Sequence, residues 1–325
     1  MNRGIFVLLF LFSAAVLLFA PFCGVENIPL SAVLHGSSSM LCKIFWELRV
    51  PRVLLGWITG ATLAVCGMLF QALFRNDLAS PDMLGISSGA AFGAVTYIRL
   101  GAEFSLFGVF PGISAAAFAG SLLATFAIYA AGNGKKRSMS SASLLLAGIA
   151  VSYLLSSLNM IMQFSGSYID SFRALRWSMG GLETVGFSQV LTTLPALLLI
   201  VFTAFYAAPE LDLFVCGEKL AASRGVSVKK LRRVLFLAVS FVIAVNVSVC
   251  GPVGFIGLLS PHICRHFAGS AHRSLTLASV FFGGAFLVLC DTAARVLWAP
   301  SEVPVGILTA FIGSLFFLWL LMREK

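Results

Sequence analysis

The sequence predicts an all-α membrane protein, a polytopic bundle of about ten transmembrane helices. Hydrophobic residues make up 59% of the 325 residues, and the mean hydropathy is +0.98. Charged residues make up only 11%, whereas soluble domains carry about 25%. The apolar runs are spread from end to end of the chain, so we expect a single membrane domain over residues 1–325.

Runs of about 17 to 25 apolar residues are long enough to cross a bilayer as helices. The predicted spans are residues 5–22, 53–73, 84–100, 108–131, 142–164, 190–208, 232–250, 254–267, 275–297 and 304–322. The eighth run is too short for a straight crossing. We expect it to be a partial or tilted segment after the Gly251-Pro252 break, because proline disrupts a helix.

The distribution of lysine and arginine predicts the orientation of the chain, because these residues are enriched in cytoplasmic loops. With the N-terminus inside, the inner segments hold 15 of them and the outer segments 7. We therefore expect a multi-pass protein with both termini in the cytoplasm. The net charge of +9 reflects this bias and contact with anionic lipid, and no other feature indicates a nucleic-acid partner.

Two pseudo-symmetric halves of opposite orientation are predicted, formed by helices two to five and seven to ten, as in many transporters. Both halves open with an Arg-Val-Leu run, at Arg52 and at Arg233. Small residues at four-residue spacing, such as Gly56 and Gly60, predict tight packing between helices. A homodimer seam on one of these faces is an alternative that the sequence leaves open.

The longest polar stretch within the bundle is PELDLFVCGEKLAASRGVSVKKLRR, residues 209–233. It predicts a short helix over Glu218–Arg224 that ends at Gly225, since glycine readily takes the left-handed conformation of a helix C-terminus. A second short turn is expected over Val226–Arg233. Two short helices on the cytoplasmic face would suit a subunit that is moved by a soluble motor, and an ordinary charged loop is the alternative.

No motor is encoded in this sequence. The one candidate phosphate loop, Gly132–Lys136, lacks the first glycine at the required spacing and the Ser or Thr that should follow the lysine. If transport uses ATP, a separate ATPase subunit would bind the ATP and Mg²⁺. We expect no cofactor and no catalytic residue on this chain.

Three long strings carry a resemblance to a known family. They are RVPRVLLGWITGATLAVCGMLFQALFRNDLASPDMLGISSGAAFG, GPVGFIGLLSPHICRHFAGSAHRSL and DTAARVLWAPSEVPVGILTAFIGSLFFLWLL, which begin at residues 49, 251 and 291. In this order they resemble the FecCD-type permeases of iron-siderophore, haem and vitamin B12 uptake. The resemblance implies a type II ABC importer permease. Its partners would be a second copy of the chain, two ATPase subunits, a periplasmic or lipid-anchored substrate-binding protein and a metal-chelate substrate.

The resemblance implies that Arg49, Arg52 and Arg295 receive acidic residues of the substrate-binding protein. Guanidinium groups at an external surface can form bidentate pairs with carboxylates, which set register and speed encounter. For Arg49 and Arg52 the alternative is a side chain that extends from a helix end to the membrane surface.

Asp291 is the deepest acidic residue that we place in a predicted span, and an unpaired carboxylate there would indicate a functional site. Arg295 lies four residues later on the same helix, where the two side chains can meet. We therefore expect a structural ion pair between Asp291 and Arg295, a role that Arg295 can combine with docking.

The spacing of His262 and His266 could place two metal ligands on one helix face, but we expect no metal site. The resemblance places this segment near the cytoplasmic side. A path that carries a metal inside a chelate gains nothing from ligands that would remove the metal.

The resemblance also assigns residues on the cytoplasmic side. Ala221, Ala222 and Gly225 approximate the Ala-Ala-x-x-Gly core of the importers' coupling helix, which rests in a groove on the ATPase, with Glu218 before the core and Val226 directly after it. A serine-rich segment opens the fifth span, where the family places its inner gate, and the candidate gate residues are Ser138, Ser140, Ser141 and Ser143.

The sequence thus favours an importer permease that translocates an iron chelate, a siderophore or haem, across the inner membrane. A cobalamin importer is the alternative within the family. A proton-coupled secondary transporter, with Asp291 or Asp170 as the carrier site, is the alternative from another class. A membrane enzyme is disfavoured, because we find no cluster of His, Asp or Ser near one membrane face.

Overall fold

The structure is a computed structural model that describes residues 3–24, 26, 28–29, 33, 40–101, 105–106, 110–132, 140–299 and 301–323. Its α-helices are α1 Arg3–Phe19, α2 Met40–Lys43, α3 Val50–Phe74, α4 Ile86–Arg99, α5 Gly112–Gly132, α6 Ser141–Phe164, α7 Tyr168–Ser178, α8 Ser188–Val215, α9 Glu218–Ser223, α10 Val228–Cys250, α11 Ile256–Ala268, α12 His272–Leu297 and α13 Val305–Arg323. A π-helical turn, Ile44–Arg49, joins α2 to α3.

The all-α prediction is confirmed, and each of the ten predicted spans coincides with one helix: α1, α3 to α6, α8 and α10 to α13. Among the described residues, seven helices are long and apolar enough to cross a membrane, and the apolar part of α13, Val305–Leu320, is slightly shorter. The strands in the described part of the chain are Ser105–Leu106 and Phe110–Pro111, which pair antiparallel. The predicted spans agree with the helices because a span is predicted from the hydropathy of neighbouring residues, which requires no knowledge of tertiary contacts.

Helix α3 lies at the centre of the bundle and packs against α8, α10, α11 and α12. Nearly all of its residues are buried, as expected of a helix that is apolar on every side. Glycines let the neighbouring backbones approach. A Cβ on Gly60 would lie 2.3 Å from the carbonyl oxygen of Gly283 in α12, and one on Gly67 would lie 1.7 Å from that of Gly257 in α11. The small-residue spacing is thus used for close helix contacts.

The predicted break before the eighth span is present between α10 and α11. Gly251 and Phe255 both have a φ of 67°, and Gly181 donates its backbone N–H to the carbonyl oxygen of Cys250 over 2.8 Å. Helix α11 has 13 residues, which correspond to about 20 Å, less than the ~30 Å hydrocarbon core. The eighth segment is therefore a partial one, as expected.

The first predicted half repeats this order of elements. The long helix α3 is followed by a 3-10 turn, Pro81–Leu84, and then by the short helix α4 of 14 residues. In both predicted halves a long helix thus precedes a break and a short helix.

The connection between the long helices α8 and α10 is shorter in the structure than the polar segment 209–233 suggested, because both helices extend into that segment. Helix α8 does not end at Pro209 but continues to Val215, because Leu211 and Phe214 extend its buried face and proline removes only one backbone donor. The separate turn predicted over Val226–Arg233 is also wrong, since Val228 begins the uninterrupted helix α10. Its first turns are amphipathic, with Leu231 buried and the neighbouring lysines exposed.

The contact between α3 and α11 yields a first prediction. In Gly67→Ala the new Cβ meets the backbone of Gly257, which cannot rotate away, so the helices must separate at a cost of about 1–3 kcal/mol or more. We expect a clear drop in the thermal unfolding midpoint in detergent. Gly4→Ala is the control, because nothing lies within 4 Å of a Cβ there. Equal midpoints for both variants would contradict the packing.

Candidate functional site

The carboxylate of Asp291 on α12 is shared by two arginines. Arg52 of α3 donates from Nε to both Asp291 oxygens at 3.1 Å and from Nη2 to Oδ1 at 2.9 Å. Arg295, one turn further along α12, donates from Nε to Oδ2 at 3.0 Å. The pair expected between Asp291 and Arg295 is thus present, and the contact with Arg52, 239 residues away in sequence, was not predicted.

Arg52 has a second carboxylate partner. Its Nη1 donates to Glu302 Oε2 over 2.7 Å, and Glu302 lies in the loop between α12 and α13. The side chain of Glu302 is 45% exposed, whereas those of Arg52 and Asp291 are 15% and 3% exposed. The cluster is therefore buried on the Asp291 side and open to solvent on the Glu302 side.

Arg49 has other partners than the carboxylates of Asp291 and Glu302, because it binds the segment after α1. Its guanidinium donates to the carbonyl oxygens of Pro21, Phe22 and Glu26, and the residue is only 7% exposed. Arg295 is also buried and donates from Nη1 to the carbonyl oxygen of Cys23. The three arginines expected to dock a partner lie together, and Arg52 is the most exposed of them, although only 15% of its side chain is accessible.

We call the end of the bundle that carries Arg49, Arg52 and Arg295 the arginine face. Two open cavities lie there. One, of about 680 Å³, is lined by all three arginines together with Glu26 and Glu302. The other, of about 390 Å³, is lined by Arg52, Glu302 and two arginines of α7, Arg173 and Arg176. Outside the spans, the hydrogen bond that Arg176 donates to the carboxylate of Glu183 raises the pKa of Arg176. The arginine face thus presents a concave, charged surface.

The predicted coupling residues lie at the opposite end of the bundle. Helix α12 has 26 residues, about 39 Å, and its first residue, His272, contacts the α8 end that leads into α9. Asp212 Oδ1 accepts the backbone N–H of His272 at 3.0 Å and lies 2.5 Å from its Nδ1. One carboxylate therefore ties the segment before α9 to the start of the helix that carries Asp291.

Helix α9 ends in a Schellman motif formed by the predicted coupling residues. The N–H of Val226 bonds to the carbonyl oxygen of Ala221, and that of Gly225 to the carbonyl oxygen of Ala222, both at 3.0 Å. Gly225 has a φ of 88°, and Ala221 and Val226 are buried, which gives the hydrophobic contact typical of this motif. The predicted left-handed end of the helix at Gly225 is confirmed.

An ion pair fixes the position of α9. Glu218, in its first turn, accepts a hydrogen bond from Arg232 Nη2 over 2.6 Å, and an acidic residue there also suits the helix dipole. Arg232 on α10 is only 4% exposed and lies over the ring of Phe214, 5.8 Å from its centroid. The outer residues of α9, such as Ala222, stay exposed, so a rigid small helix is presented to solvent.

The described gate residues form a helix cap. Ser140 Oγ accepts the N–H of Ser143 and Ser143 Oγ accepts the N–H of Ser140, both at 3.1 Å, so the two residues make a capping box at the start of α6. Ser141 Oγ donates to the carbonyl oxygen of Leu73. Ser138 lies outside the described residues. The geometry gives these hydroxyls a structural role, and the gate stays a prediction.

The two histidines of α11 have aromatic neighbours. The rings of His262 and Phe316 have centroids 6.0 Å apart, and those of His266 and Phe267 are 5.6 Å apart. Within the described parts of the chain, no group of three or more His, Cys, Asp or Glu side chains could hold a metal ion.

Sequence reasoning missed Asp82, which lies in the break between α3 and α4. Its carboxylate accepts a hydrogen bond from Ser80 Oγ at 3.2 Å and another from the backbone of Phe255. Phe255 directly precedes α11, where the positive end of the helix dipole favours an anion. The two breaks are therefore bound to each other, and only the three-dimensional contact between them reveals it.

Comparison with known proteins identifies the family. The model of the FecCD transport family matches residues 7–323. The chain belongs to the FecCD transport family. The resemblance seen in the three sequence strings is thus confirmed over nearly the whole length of this FecCD chain.

Curated relatives of this FecCD chain are named as permeases of import systems. It is 41% identical to the cobalamin import system permease protein BtuC of Halobacterium salinarum, over 87% of this chain and 74% of the relative. It is 33% identical to the iron(3+)-hydroxamate import system permease protein FhuG of Bacillus subtilis, over 87% and 84%. The vitamin B12 import system permease protein BtuC of Klebsiella pneumoniae is 35% identical, over 86% and 82%.

A solved structure has the same fold. It is described as an inward-facing conformation of an ABC transporter assigned to the metal-chelate type. It superposes on this FecCD chain with a TM-score of 0.85 at 27% identity, over 99% of this chain and 100% of the other.

The shared carboxylate leads to a second prediction. Asp291→Asn leaves two buried arginines without their main counter-charge, and breaking a buried pair typically costs about 3–5 kcal/mol. We expect a large drop in the thermal unfolding midpoint. Glu183→Gln is the matched control, since its ion pair with Arg176 is more than 60% exposed on both sides and exposed pairs contribute about 0–1 kcal/mol. A midpoint for Asp291→Asn as high as that of the control would show that the shared carboxylate does not stabilise the bundle.

Proposed function

We propose that this chain is the membrane-spanning permease subunit of a binding-protein-dependent ABC importer that carries an iron chelate, a siderophore or haem, into the cell. The observation that carries the proposal is the placement of two charged surfaces at opposite ends of one apolar bundle. The arginine face lies at one end, and the exposed helix α9 lies at the other. An importer needs such a pair, one surface for a substrate donor and one for a motor.

Helix α9 supports the contact with a motor. It is short, exposed on its outer side, closed by a Schellman motif and held by the ion pair between Glu218 and Arg232. A small rigid helix of this kind can enter a groove on a soluble ATPase and transmit its movement. In our proposal two ATPase subunits, which bind the ATP and Mg²⁺, contact α9 from the cytoplasm. The chain lies in the inner membrane with both of its termini on the cytoplasmic side.

The arginine face supports docking of a substrate-binding protein. The two cavities of the arginine face are lined by five arginines (Arg49, Arg52, Arg173, Arg176 and Arg295) and three glutamates (Glu26, Glu183 and Glu302), and with the buried Asp291 this leaves an excess of one positive charge. A positive concave surface attracts acidic side chains and speeds their encounter. We assign the first contact to Arg52, because Arg49 and Arg295 are mostly buried.

A second copy of the chain would complete the transport path. Helix α6 is the least buried of the candidate spans, and α7 after it exposes Tyr168, Ile169 and Phe172. In the part of the chain that the structure describes, these apolar faces are exposed, so they suit either lipid or a second copy. We place the dimer partner and the path between the copies along this side.

The relatives leave the substrate open between two chemical classes, because those named above include permeases of cobalamin and of iron(3+)-hydroxamate import systems. Both cargoes are large metal chelates. We propose iron chelates first, and a cobalamin importer is the alternative that the same assay distinguishes.

The third prediction is that uptake requires ATP. Proteoliposomes would contain this chain with a candidate ATPase and binding protein from the same organism, and they would receive radiolabelled ferric hydroxamate, haem or cobalamin in parallel. We expect accumulation of one cargo only with ATP and Mg²⁺ on the ATPase side. An ATPase variant without activity serves as the control.

Uptake driven by a pH gradient without ATP would contradict the importer and favour the proton-coupled transporter. In that case loss of the pH-driven uptake in Asp170→Asn would identify Asp170 as the carrier residue, and full uptake in this variant would leave Asp291 as the candidate. ATP-driven accumulation of cobalamin instead of an iron chelate would contradict the proposed substrate but would still support the proposed importer.

The fourth prediction concerns Gly225. Valine there would be held in the left-handed region, which costs an L-residue about 1–2 kcal/mol, so we expect Gly225→Val to disrupt the end of α9. ATP-driven uptake should fall clearly, while the thermal midpoint falls only slightly, because the strain is relieved by a local change at the exposed end of α9 and nothing lies within 4 Å of a Cβ there.

Gly225→Asn is the matched control, because asparagine tolerates the left-handed conformation. It should retain most of the uptake. Full uptake in the valine variant would refute the assignment of α9 as the coupling helix.

A further inference from the structure

Arg52 is the docking arginine nearest to solvent, yet its open side is already occupied. Its Nη1 donates to Glu302 Oε2 over 2.7 Å, and Glu302 is three times as exposed as Arg52, at 45% against 15%. A carboxylate that approaches Arg52 from outside therefore meets a carboxylate of the same chain in its place.

The two acidic partners of Arg52 differ in how firmly they are held. Asp291 lies within α12, is 3% exposed, and accepts three hydrogen bonds from Arg52 and one from Arg295. Glu302 lies in a loop, and a single short hydrogen bond joins it to Arg52. A buried network of the first kind is costly to break, whereas an exposed pair of the second kind contributes little. Glu302 is therefore the replaceable partner.

A displaced Glu302 would remain close to positive charge. The charged residues that line the cavity of about 390 Å³ at the arginine face are Arg52, Arg173, Arg176, Glu183 and Glu302, and Glu183 already pairs with Arg176 at 2.6 Å. Arg173 and Arg176 are both exposed on α7, so a carboxylate that leaves Arg52 does not enter an apolar region. Exchange of one acidic partner for another at Arg52 thus avoids an isolated buried charge, which would be the main cost of such a step.

We propose that Glu302 is an internal competitor of the docking partner: a carboxylate side chain of the substrate-binding protein takes the place of Glu302 on Arg52 when it docks. This inference rests on the proposed function, because it requires a binding protein that docks on the arginine face. It adds a residue that lowers the docking affinity and keeps Arg52 paired when no partner is bound.

The test measures the affinity of the substrate-binding protein for the permease–ATPase complex in nanodiscs. The ATPase and the binding protein are those that support uptake in the proteoliposome experiment. Glu302→Gln keeps the size of the side chain and removes its charge. We expect its Kd to fall by about two- to fivefold, the equivalent of losing one exposed ion pair. Glu302→Ser should lower the Kd by the same factor. This second variant shows that the effect does not depend on the glutamine side chain.

Glu47→Gln is the matched control for net charge. Glu47 is exposed in the π-helical turn that leads to Arg49, and the carboxylate partners of Arg52 in the described part of the chain are Asp291 and Glu302. This control should leave the Kd unchanged. A double-mutant cycle with Arg52→Gln should abolish the effect of Glu302→Gln, provided that size-exclusion profiles match those of the wild type.

The outcomes separate the two proposals. If the wild-type complex binds no substrate-binding protein, the proposed function fails. If the wild type binds, and Glu302→Gln binds equally or more weakly, Glu302 does not compete and only this inference is overturned. An equal fall in the Kd for Glu302→Gln and Glu47→Gln would show that the effect comes from the net charge of the arginine face. This result would also overturn the inference that Glu302 competes for Arg52.

Discussion

The carboxylate of Asp291, shared between Arg52 and Arg295, is the interaction on which the arrangement of this bundle depends. A charge at the edge of a membrane is tolerated when it is paired and its hydrogen bonds are satisfied. Here one buried acid, 3% exposed, satisfies two arginines from two helices. It therefore fixes α3 against α12 at the arginine face, and it also fixes the direction in which the side chain of Arg52 can present its remaining donor.

Close backbone contact continues this alignment through the membrane. Gly60 lies against Gly283 in the middle of the α3–α12 pair, and Thr276 Oγ1 lies 3.7 Å from Met68 Sδ further along. At the far end, Asp212 holds the first residue of α12. A helix pair that is fixed at several levels moves as one body more readily than it bends, because packed interiors transmit strain. The two surfaces to which we assign docking and coupling are thus joined by a stiff element.

The sequence predicted this architecture well where the signal is local. Hydropathy located all ten apolar helices, and the glycine at residue 225 located the end of α9, because both depend on neighbouring residues only. Contacts between distant segments escaped it. The partner of Asp291 was expected on the same helix, while Arg52 lies 239 residues away. Pro209 was read as a helix end, whereas the buried side chains of Leu211 and Phe214 carry α8 beyond it.

The same long-range contacts change what the arginines can do. The family resemblance gives Arg49, Arg52 and Arg295 the same docking role, but Arg49 and Arg295 bind backbone carbonyls of the segment after α1 and stabilise the fold. In the proposed docking, a carboxylate of the partner would replace an existing partner of Arg52 rather than add a new ion pair, so the net free energy of that contact would be small. A small net free energy would suit the proposed importer, since tight binding would slow dissociation of the donor.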